Sequence, residues 1–370
     1  MAAGAPAVLA RSNGWAAHRR AVHLLKADIT VPPGYLQVLK QHREDLAFRH
    51  VPVVKKLMSS YVGKEVTVNP LTGLGTFHCL FGVEDELNNR YIMRTSLLSE
   101  VDGTPDFILD CWVASLARHA KFPVSIPCWV DITLTAAPFP FEVFTANNAV
   151  TVKELENSAT QELPEGVAFE MGRTLAAIHS VRAARSGPLD VAGLTDDECT
   201  APRGVHDSWR EFIELNLLEH LNYCKAASAI TVDEAREIEH LFSEMSPLYN
   251  EVEISLLHGD YSGSNLFTDG KRITAVIDWE DALAGDPVYD IAAWATFYRE
   301  TIHPEFLDGY TSVRSAGTNF DVKFWLYFLR VSLAKTAHRY RFGVTDVPGR
   351  PAASRRILQA LERLRTVVNS

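Results

Sequence analysis

The spacing of apolar positions divides the chain into a strand-rich first half and a helical second half. From residue 61 to residue 147, short runs rich in Val, Ile, Phe and Tyr alternate with polar residues and turn signals, which is typical of strands. One helical pattern, at residues 105–119, interrupts them. We therefore predict an antiparallel meander, then a helix, then two further strands. The strand-like runs are residues 65–70, 77–83, 90–97, 122–130 and 139–144.

Helical spacing dominates on either side of this region. Residues 1–60 predict a helical N-terminal extension without recognisable chemistry, and residues 148–370 predict a larger, mainly helical region. Within the latter, Thr231 and Glu234 form the capping-box pattern that begins a helix. The almost wholly apolar stretch 324–337 predicts a buried helix. The sequence thus divides into three parts: 1–60, 61–147 and 148–370.

Charge and composition narrow the classes of function. The 370 residues include 36 Lys+Arg and 46 Asp+Glu, a net charge of −10, whereas nucleic-acid-binding proteins usually carry a basic surface. The five cysteines are scattered without a CxxC pair, which indicates neither a disulfide framework nor a zinc site. No apolar stretch reaches the ~18 residues of a membrane span. We expect a cytoplasmic protein of about two domains, with no nucleic-acid or membrane partner.

A polar segment interrupts the helical half between residues 252 and 290. Its pattern predicts a strand, a polar loop, two short strands joined by an Asp-Gly pair at 269–270, and an acidic loop that opens a helix. Asp-Gly between apolar runs is a strong hairpin signal. With a two-residue turn, the register places Asp278 opposite Tyr261, beside the polar loop that precedes the hairpin.

Three oxygen-bearing side chains therefore converge at one end of this hairpin: Asp260, Asn265 and Asp278. Carboxylate and amide oxygens suit Mg²⁺, which takes one or two carboxylates and completes its shell with water and substrate phosphates. Phosphoryl transfer needs an aligned nucleophile and held metal ions more than covalent help from the protein. The set predicts that chemistry, with Asp260 as base and the other two residues as metal ligands. Taken singly, each motif also fits an ordinary surface turn.

The order of these motifs resembles the aminoglycoside phosphotransferase and choline kinase superfamily over about residues 65 to 340. Within that superfamily, the run at 272–279 and the segment Trp209 to Ile213 look most like hygromycin B phosphotransferases. The motifs that carry the resemblance are His258-Gly259-Asp260 with Asn265, Ile277-Asp278-Trp279-Glu280, and Gly285-Asp286-Pro287 with Asp290-Ile291-Ala292.

The resemblance implies an α+β, protein-kinase-like fold of two lobes. Residues 61–147 would form the nucleotide-binding N-lobe, and residues 148–370 the helical C-lobe with the catalytic loop and the substrate site. Asp260 is implied to be the catalytic base, with His258 bracing its loop and Asp290 supporting it. Asn265 and Asp278 are implied to bind Mg²⁺, with ATP or GTP as the co-substrate.

Arg94 occupies the strand position at which such kinases normally carry a phosphate-bridging lysine. A guanidinium keeps the positive charge but presents a planar fork, and hygromycin-type enzymes resemble the chain in this respect. We expect Arg94 to contact nucleotide phosphates and to pair with Asp110, in preference to Asp106, on the following helix. The other expected nucleotide contacts are Gly73, Gly75 and Thr76 in a glycine-containing loop, and Val143 in the segment that would bind adenine.

An acidic segment behind Asp278 indicates the character of the acceptor. Between residues 278 and 300 there are six acidic residues and one basic residue, which favours a cationic or sugar-containing small molecule. Glu280 and Asp281 are the expected contacts. Trp294 and Tyr298 are candidate walls of a sugar pocket, although their helical spacing favours core packing as the default. The leading expectation is a kinase that phosphorylates an aminoglycoside-like antibiotic and confers resistance.

Other functions stay open at the level of sequence. A kinase of a small metabolite alcohol, of the choline, homoserine or sugar type, fits the same motifs. A nucleotide-binding pseudokinase is compatible with Arg94, but the complete set of Asp260, Asn265 and Asp278 favours retained catalysis. A protein kinase would carry a DFG-type motif in place of IDWE, and a dinuclear phosphohydrolase would need clustered histidines. The chain is expected to be a monomer or a homodimer.

Overall fold

The computed structural model of the protein has antiparallel sheets and many helices, and it confirms the predicted α+β class. The described residues are 35–73, 78–97, 104–146, 149–156, 162–191, 201–250, 252–298, 303–341 and 353–368. They belong to two compact units. The first unit contains the described residues between 35 and 115 and between 125 and 146. The second contains residues 116–124 and the described residues from 149 onward.

One antiparallel sheet and two helices build the first unit. The strands are β1 Val66–Pro70, β2 Cys79–Asp85, β3 Arg90–Thr95, β4 Pro127–Asp131 and β5 Phe141–Thr145. The helices are α1 Tyr35–Val62 and α2 Thr104–Ala120, of which the part up to Ser115 belongs to this unit. The strand order is β1-β2-β3-β5-β4. The sheet is therefore the predicted meander, followed by a helix and two further strands.

The alternation of side chains along β2 determines the buried face of this sheet. Cys79, Phe81 and Val83 are buried, as the two-residue period of a strand requires when one face meets a core. Val54 and Met58 of α1 pack into the same core. From residue 35 onward, the predicted helical extension is thus an integral part of the first unit, while residues 1–34 lie outside the described part of the chain.

Helices dominate the second unit. They are α3 Val152–Leu155, α4 Val167–His179, α5 Trp209–Glu214, α6 Leu217–Ala226, α7 Val232–Glu244, α8 Ser246–Asn250, α9 Pro287–Ala295, α10 Pro304–Thr311, α11 Phe320–Arg341 and α12 Ala353–Val368. The predicted capping box of Thr231 and Glu234 begins α7, and α11 contains the predicted buried apolar stretch. No helix in the described part of the chain is long and apolar enough to cross a membrane.

Two small antiparallel sheets carry the loops between these helices. Their strands are β6 Val150–Thr151, β7 Ser186–Leu189, β8 Gly204–His206, β9 Ser255–Leu257, β10 Leu266–Thr268, β11 Ile273–Val276 and β12 Leu283–Gly285. The strand orders are β11-β10-β6 and β8-β7-β12-β9. Because β9 leads into the polar loop and β10 and β11 form the predicted hairpin, these sheets position the candidate site.

The hairpin of β10 and β11 forms around the predicted Asp-Gly pair, but with a different register. Thr268 pairs with Ile273, so the turn holds four residues instead of two. Asp269 stabilises the longer turn, because its carboxylate accepts hydrogen bonds from the backbone N–H groups of residues 271 and 272, each at 2.8 Å. The prediction that Asp278 lies opposite Tyr261 is therefore wrong.

Reciprocal glycine contacts bring α4 and α10 together. A Cβ atom on Gly172 would lie 1.9 Å from the carbonyl oxygen of Phe306, and one on Gly309 would lie 1.9 Å from that of Phe169. The helices keep this spacing only because both positions lack a side chain. The close approach allows His179 of α4 to form a hydrogen bond of 2.9 Å with the Tyr310 hydroxyl of α10.

Candidate active site

The polar loop between β9 and β10 places Asp260 and Asn265 in direct contact. The side-chain N–H group of Asn265 donates to the carboxylate of Asp260 at 3.1 Å and to its backbone carbonyl at 2.9 Å. These two bonds orient the amide and leave Oδ1 as the acceptor atom of the Asn265 side chain. Asn265 is buried, whereas Asp260 is partly exposed. The loop therefore presents the Asp260 carboxylate on a buried support.

His258 connects this loop to the end of β11. The backbone N–H of Asp260 donates to Nδ1 of His258 at 3.3 Å, so Nδ1 is the acceptor nitrogen. The protonated nitrogen is then Nε2, which donates to the carbonyl of Ile277 at 3.0 Å. His258 is fully buried. It thus braces the loop, as expected, and ties it to the residue directly before Asp278.

A backbone hydrogen bond of Ile277 brings the next residue, Asp278, close to Asn265. The N–H of Ile277 donates to the carbonyl of Asn265 at 3.0 Å. Asp278 itself has φ 67° and ψ 61°, the left-handed conformation that few residues other than glycine adopt. Strain of this kind is concentrated at functional sites, where it aims a side chain. The structure thus brings the three predicted residues Asp260, Asn265 and Asp278 into one neighbourhood, although the register that predicted it was wrong.

Gly259 is required by the packing of the polar loop against the turn that follows Asp278. A Cβ atom at this position would lie 1.9 Å from the carbonyl oxygen of Asp281. Gly259 also has φ +83°, a conformation that is costly for any residue with a side chain. The glycine of the His-Gly-Asp motif is therefore fixed by both sterics and backbone conformation.

Asp290 is fully buried and binds the backbone of the loop that carries Asp260. Its carboxylate accepts hydrogen bonds from the backbone N–H groups of His258, at 2.7 Å, and Gly259, at 3.0 Å. His179 lies 3.3 Å from the same carboxylate, and burial lowers the pKa of His179 although Asp290 opposes the shift. The sequence assigns no site role to His179, because only the fold brings it to a residue 111 positions away.

Asp286 anchors the helix that carries Asp290. It caps the N-terminus of α9 by accepting the backbone N–H of Val288 at 3.0 Å. Its other oxygen accepts from Lys323 at 2.9 Å and from the Tyr327 hydroxyl at 3.0 Å, both on α11. A Cβ atom on the adjacent Gly285 would lie 2.2 Å from the Trp209 ring. The Gly-Asp-Pro motif thus fixes the position of α9 and, through it, that of Asp290.

In the first unit, Arg94 forms the predicted ion pair with Asp110. Its Nη1 atom donates to Asp110 at 2.6 Å, whereas Asp106 lies 3.2 Å from His78 instead. The same Nη1 atom also donates to Glu142 at 3.2 Å. Sequence reasoning missed Glu142, and the signal that would have found it is strand pairing, because Glu142 on β5 lies directly opposite Arg94 on β3.

The other expected nucleotide contacts are only partly described. Gly73 has φ +81° with no atom of the described residues within 4 Å of an added Cβ, and its N–H donates to Glu44 at 3.3 Å. Gly75 and Thr76 lie outside the described residues. The use of this loop for phosphate binding stays a prediction.

The expected role of Val143 conflicts with its placement. Val143 lies on β5, which has β3 on one side and β4 on the other, and its side chain belongs to the buried core of the sheet. Its carbonyl accepts the Sγ–H of Cys128 at 3.3 Å. The assignment placed the adenine-binding segment within the strand, where the backbone already has neighbours on both sides.

The four expected acceptor contacts fall into two groups. Glu280 and Asp281 form, with Trp279, the 3₁₀ turn directly after Asp278, and both are partly exposed. Trp294, by contrast, is 1% exposed and stacks on Phe306 with ring centroids 3.7 Å apart. The prediction that Trp294 lines a substrate pocket is therefore wrong, because the helical spacing reflects core packing.

Tyr298 is also largely buried, but it lies beside the polar loop. Its ring packs on Trp294 with centroids 4.8 Å apart. Its hydroxyl lies 3.3 Å from the position that a Cβ atom on Gly263 would occupy. Tyr298 thus supports the loop segment that leads to Asn265, and a direct contact with substrate stays a prediction.

The donor atoms near Asp260 fit magnesium better than a softer metal. The Oδ1 atom of Asn265 and the carboxylate of Asp278 are hard oxygen donors, and a set of two leaves coordination positions for water and phosphate. Both nitrogens of His258 take part in hydrogen bonds to the loop and to β11. The nearby imidazole therefore supports the site rather than supplying the nitrogen ligand that zinc or iron would favour.

The fold and the loop geometry agree with one enzyme family. A sequence model described as the phosphotransferase enzyme family matches residues 83–321, which include Arg94, the polar loop with Asp260 and Asn265, and Asp278. The match covers well over half of the chain. The protein belongs to the phosphotransferase enzyme family.

The chain is also similar to particular proteins and solved structures. The chain is 28% identical over 231 residues to hygromycin-B 4-O-kinase of Escherichia coli, a match that covers 58% of this chain and 62% of that relative. The chain thus spans less than two thirds of that relative. The fold is also similar to aminoglycoside phosphotransferase APH(4)-Ia, solved with AMP-PNP and hygromycin B, with a TM-score of 0.55 at 20% identity over 85% of this chain and 98% of the other. A macrolide 2'-phosphotransferase from Brachybacterium faecium gives a TM-score of 0.54 at 15% identity, with coverages of 85% and 98%.

Proposed function

We propose that the protein transfers the γ-phosphate of ATP or GTP to a hydroxyl group of an aminoglycoside-like antibiotic. The observation that carries this proposal is the pair of hydrogen bonds by which Asn265 holds Asp260. They direct a partly exposed carboxylate to where an acceptor hydroxyl would bind and orient a second oxygen donor beside it. A surface turn would need neither the buried brace of His258 nor the buried anchor of Asp290.

Each residue then has a defined task. Asp260 accepts the proton of the acceptor hydroxyl. As it does so, the oxygen of that hydroxyl bonds to the γ-phosphorus, and the bond from the γ-phosphorus to the nucleoside diphosphate breaks. Asn265 and Asp278 would hold Mg²⁺, which, when bound, neutralises charge on the phosphate oxygens. Arg94, positioned by Asp110, would contact the nucleotide phosphates. Asp290 and His258 keep the loop in one conformation, so that the geometry does not have to form during each turnover.

The acceptor class rests on similarity and on charge. Hygromycin-B 4-O-kinase is a relative at 28% identity, and a hygromycin acceptor would bear amino groups. The partly exposed Glu280 and Asp281 follow Asp278 directly and would attract a cation. We expect the reaction in the cytoplasm, where nucleoside triphosphates are available, and the enzyme to act as a monomer or a homodimer. In a host cell, such a reaction would confer antibiotic resistance.

The proposal is tested by incubation of the purified protein with Mg²⁺ and either ATP or GTP. The acceptor panel would hold hygromycin B, other aminoglycosides, a macrolide, choline and homoserine, with mass spectrometry to detect a phosphate adduct. We expect an adduct on hygromycin B or another aminoglycoside, and none in Asp260→Asn. An adduct on choline or homoserine alone would contradict the proposed antibiotic acceptor and indicate a metabolite alcohol as the substrate. Nucleotide binding without any adduct would support a pseudokinase.

A further inference from the structure

Glu142 is a second acidic partner of Arg94, fixed by the sheet. It lies directly opposite Arg94 in the pairing of β3 with β5, and its Oε1 atom accepts from Arg94 Nη1 at 3.2 Å. Asp110 of α2 accepts from the same nitrogen at 2.6 Å. The guanidinium also lies 5.7 Å from the ring centroid of Phe107. Arg94 is therefore held by a strand, a helix and an aromatic ring, which together restrict its orientation.

Arg94, Asp110 and Glu142 together carry a net negative charge if both carboxyl groups are ionised. One guanidinium faces two carboxyl groups that accept from the same nitrogen atom. Glu142 is fully buried, its Oε2 atom accepts no hydrogen bond from a described donor, and its carboxyl group is within hydrogen-bonding reach of the Asp110 carboxyl group. A buried carboxylate with one oxygen unsatisfied is costly, whereas a carboxylic acid is much less so. Burial and the missing donor at Oε2 thus disfavour a negative charge on Glu142.

The surroundings of Glu142 support this protonation. Burial is the main reason that its pKa lies well above the usual value; the nearby Asp110 carboxyl raises the pKa further, and Arg94 only partly opposes the shift. On β4 the facing residue is the apolar Val130. Asp106, one turn before Asp110 on α2, lies against His78. Arg94 is therefore the cation that faces Glu142 among the described contacts.

We propose that Glu142, as a neutral carboxylic acid, is the positioning residue that holds Arg94 for the nucleotide phosphates. The inference rests on the proposed function of Arg94 in nucleotide binding. With Glu142 neutral, the Asp110 carboxylate balances the charge of Arg94. Ionisation of Glu142 would leave the group with a net negative charge, which would oppose the approach of a polyphosphate. Nucleotide binding should consequently weaken when the pH rises far enough to remove this proton.

Calorimetric titration of ATP, with Mg²⁺ in excess, into wild-type protein and Glu142→Gln tests the proposal without an acceptor. Because burial raises the pKa of Glu142, its proton is lost only at a pH above the usual range for a carboxyl group. We expect the wild-type dissociation constant to rise roughly tenfold between about pH 6 and about pH 9. Glu142→Gln should remove most of this rise, because the amide is always neutral and still offers an oxygen to Arg94. Glu142→Met should bind ATP more weakly at both values of pH, because it offers no hydrogen bond.

Controls separate this role from a structural one. Glu84→Gln changes an exposed glutamate of the same sheet and should keep the wild-type pH dependence. A wild-type dissociation constant for ATP that does not change between the two values of pH would overturn the inference, and this result does not depend on whether Glu142→Gln folds. An equal pH dependence in wild type and Glu142→Gln would also overturn it. Calorimetry measures ATP binding without any acceptor. If the protein binds ATP but transfers no phosphate, the proposed function is contradicted, and the test of Glu142 stays valid. No ATP binding at all would contradict both.

Discussion

The carboxylate of Asp290 accepts a hydrogen bond from the backbone N–H of His258 at 2.7 Å. This bond links the first turn of α9 to the start of the polar loop that carries Asp260, and the neighbouring N–H of Gly259 adds a second link at 3.0 Å. Because Asp286 caps the same helix and contacts α11, the loop is anchored to the helical core of the second unit. The position of the proposed base, Asp260, therefore depends on buried residues that do not touch the reacting atoms.

Replacement of Asp290 by Asn should disturb both stability and turnover. The asparagine amide has one acceptor oxygen for the two backbone N–H groups of His258 and Gly259, and its own N–H group would face one of these donors. We therefore expect the free energy of unfolding to fall by about 2 to 4 kcal/mol. The kcat value should fall more than tenfold. Denaturant unfolding and steady-state kinetics measure these effects. Asp308→Asn on the exposed side of α10 is the matched control, and an equally mild result for both variants would contradict the anchoring role.

Gly259→Ala should be far more damaging than Gly270→Ala. Both glycines have positive φ, +83° and +88°, so both variants incur a conformational cost of about 1 to 2 kcal/mol. Only at position 259 would the new Cβ also meet a backbone oxygen, that of Asp281, at 1.9 Å. We expect a total loss of about 3 kcal/mol or more at 259, with loss of activity. Similar unfolding midpoints and activities for the two variants would contradict the close approach of Gly259 to the Asp281 carbonyl.

Gly285 and Trp209 should behave as a coupled pair. Gly285→Ala alone should destabilise the protein by about 1 to 3 kcal/mol, because the methyl group would lie 2.2 Å from the indole ring. In a Trp209→Phe background the smaller ring leaves room, so the same substitution should cost less. A double-mutant cycle of unfolding free energies measures the coupling, expected to be about 0.5 to 3 kcal/mol. Additive effects would argue against the contact.

Acid should destabilise the protein in part through His179. Burial lowers the pKa of this histidine in the folded state, whereas the unfolded chain regains a value of about 6.5. As the pH falls below about 6.5, the unfolded state binds more protons than the folded state and stability is lost. His179→Asn should therefore reduce the slope of unfolding free energy between about pH 6.5 and pH 5. His240→Asn, at an exposed site, is the control; an unchanged slope in His179→Asn would refute this assignment.

The parts of the site that are local in sequence could be predicted from it. Asp260 and Asn265 are five residues apart in one loop, so residue type and spacing were sufficient to place them together. The pair of Arg94 and Asp110 followed from the resemblance to kinases in which a strand cation pairs with an acidic residue on the next helix, where this sequence offers Asp106 and Asp110. The helices with strong apolar spacing, such as α7 and α11, were predicted for the same reason.

The remaining features depend on contacts that sequence spacing does not reveal. Glu142 and His179 meet their partners across 48 and 111 residues. The hairpin register was wrong because the Asp269 side chain stabilises a four-residue turn that the Asp-Gly pair alone does not indicate. Trp294 was misplaced because an aromatic residue on a helix has the same spacing whether it faces a ligand or the core.

The central claim is that Asp260 is the base of a phosphoryl-transfer site, and Asp260→Asn tests it most directly. The amide keeps the shape of the side chain but is a very poor proton acceptor. With hygromycin B, or whichever acceptor the panel identifies, phosphate transfer by Asp260→Asn should fall at least ~100-fold while the dissociation constant for ATP stays within a few-fold of wild type. Wild-type-like turnover in this variant, measured by mass spectrometry of the adduct, would contradict the account.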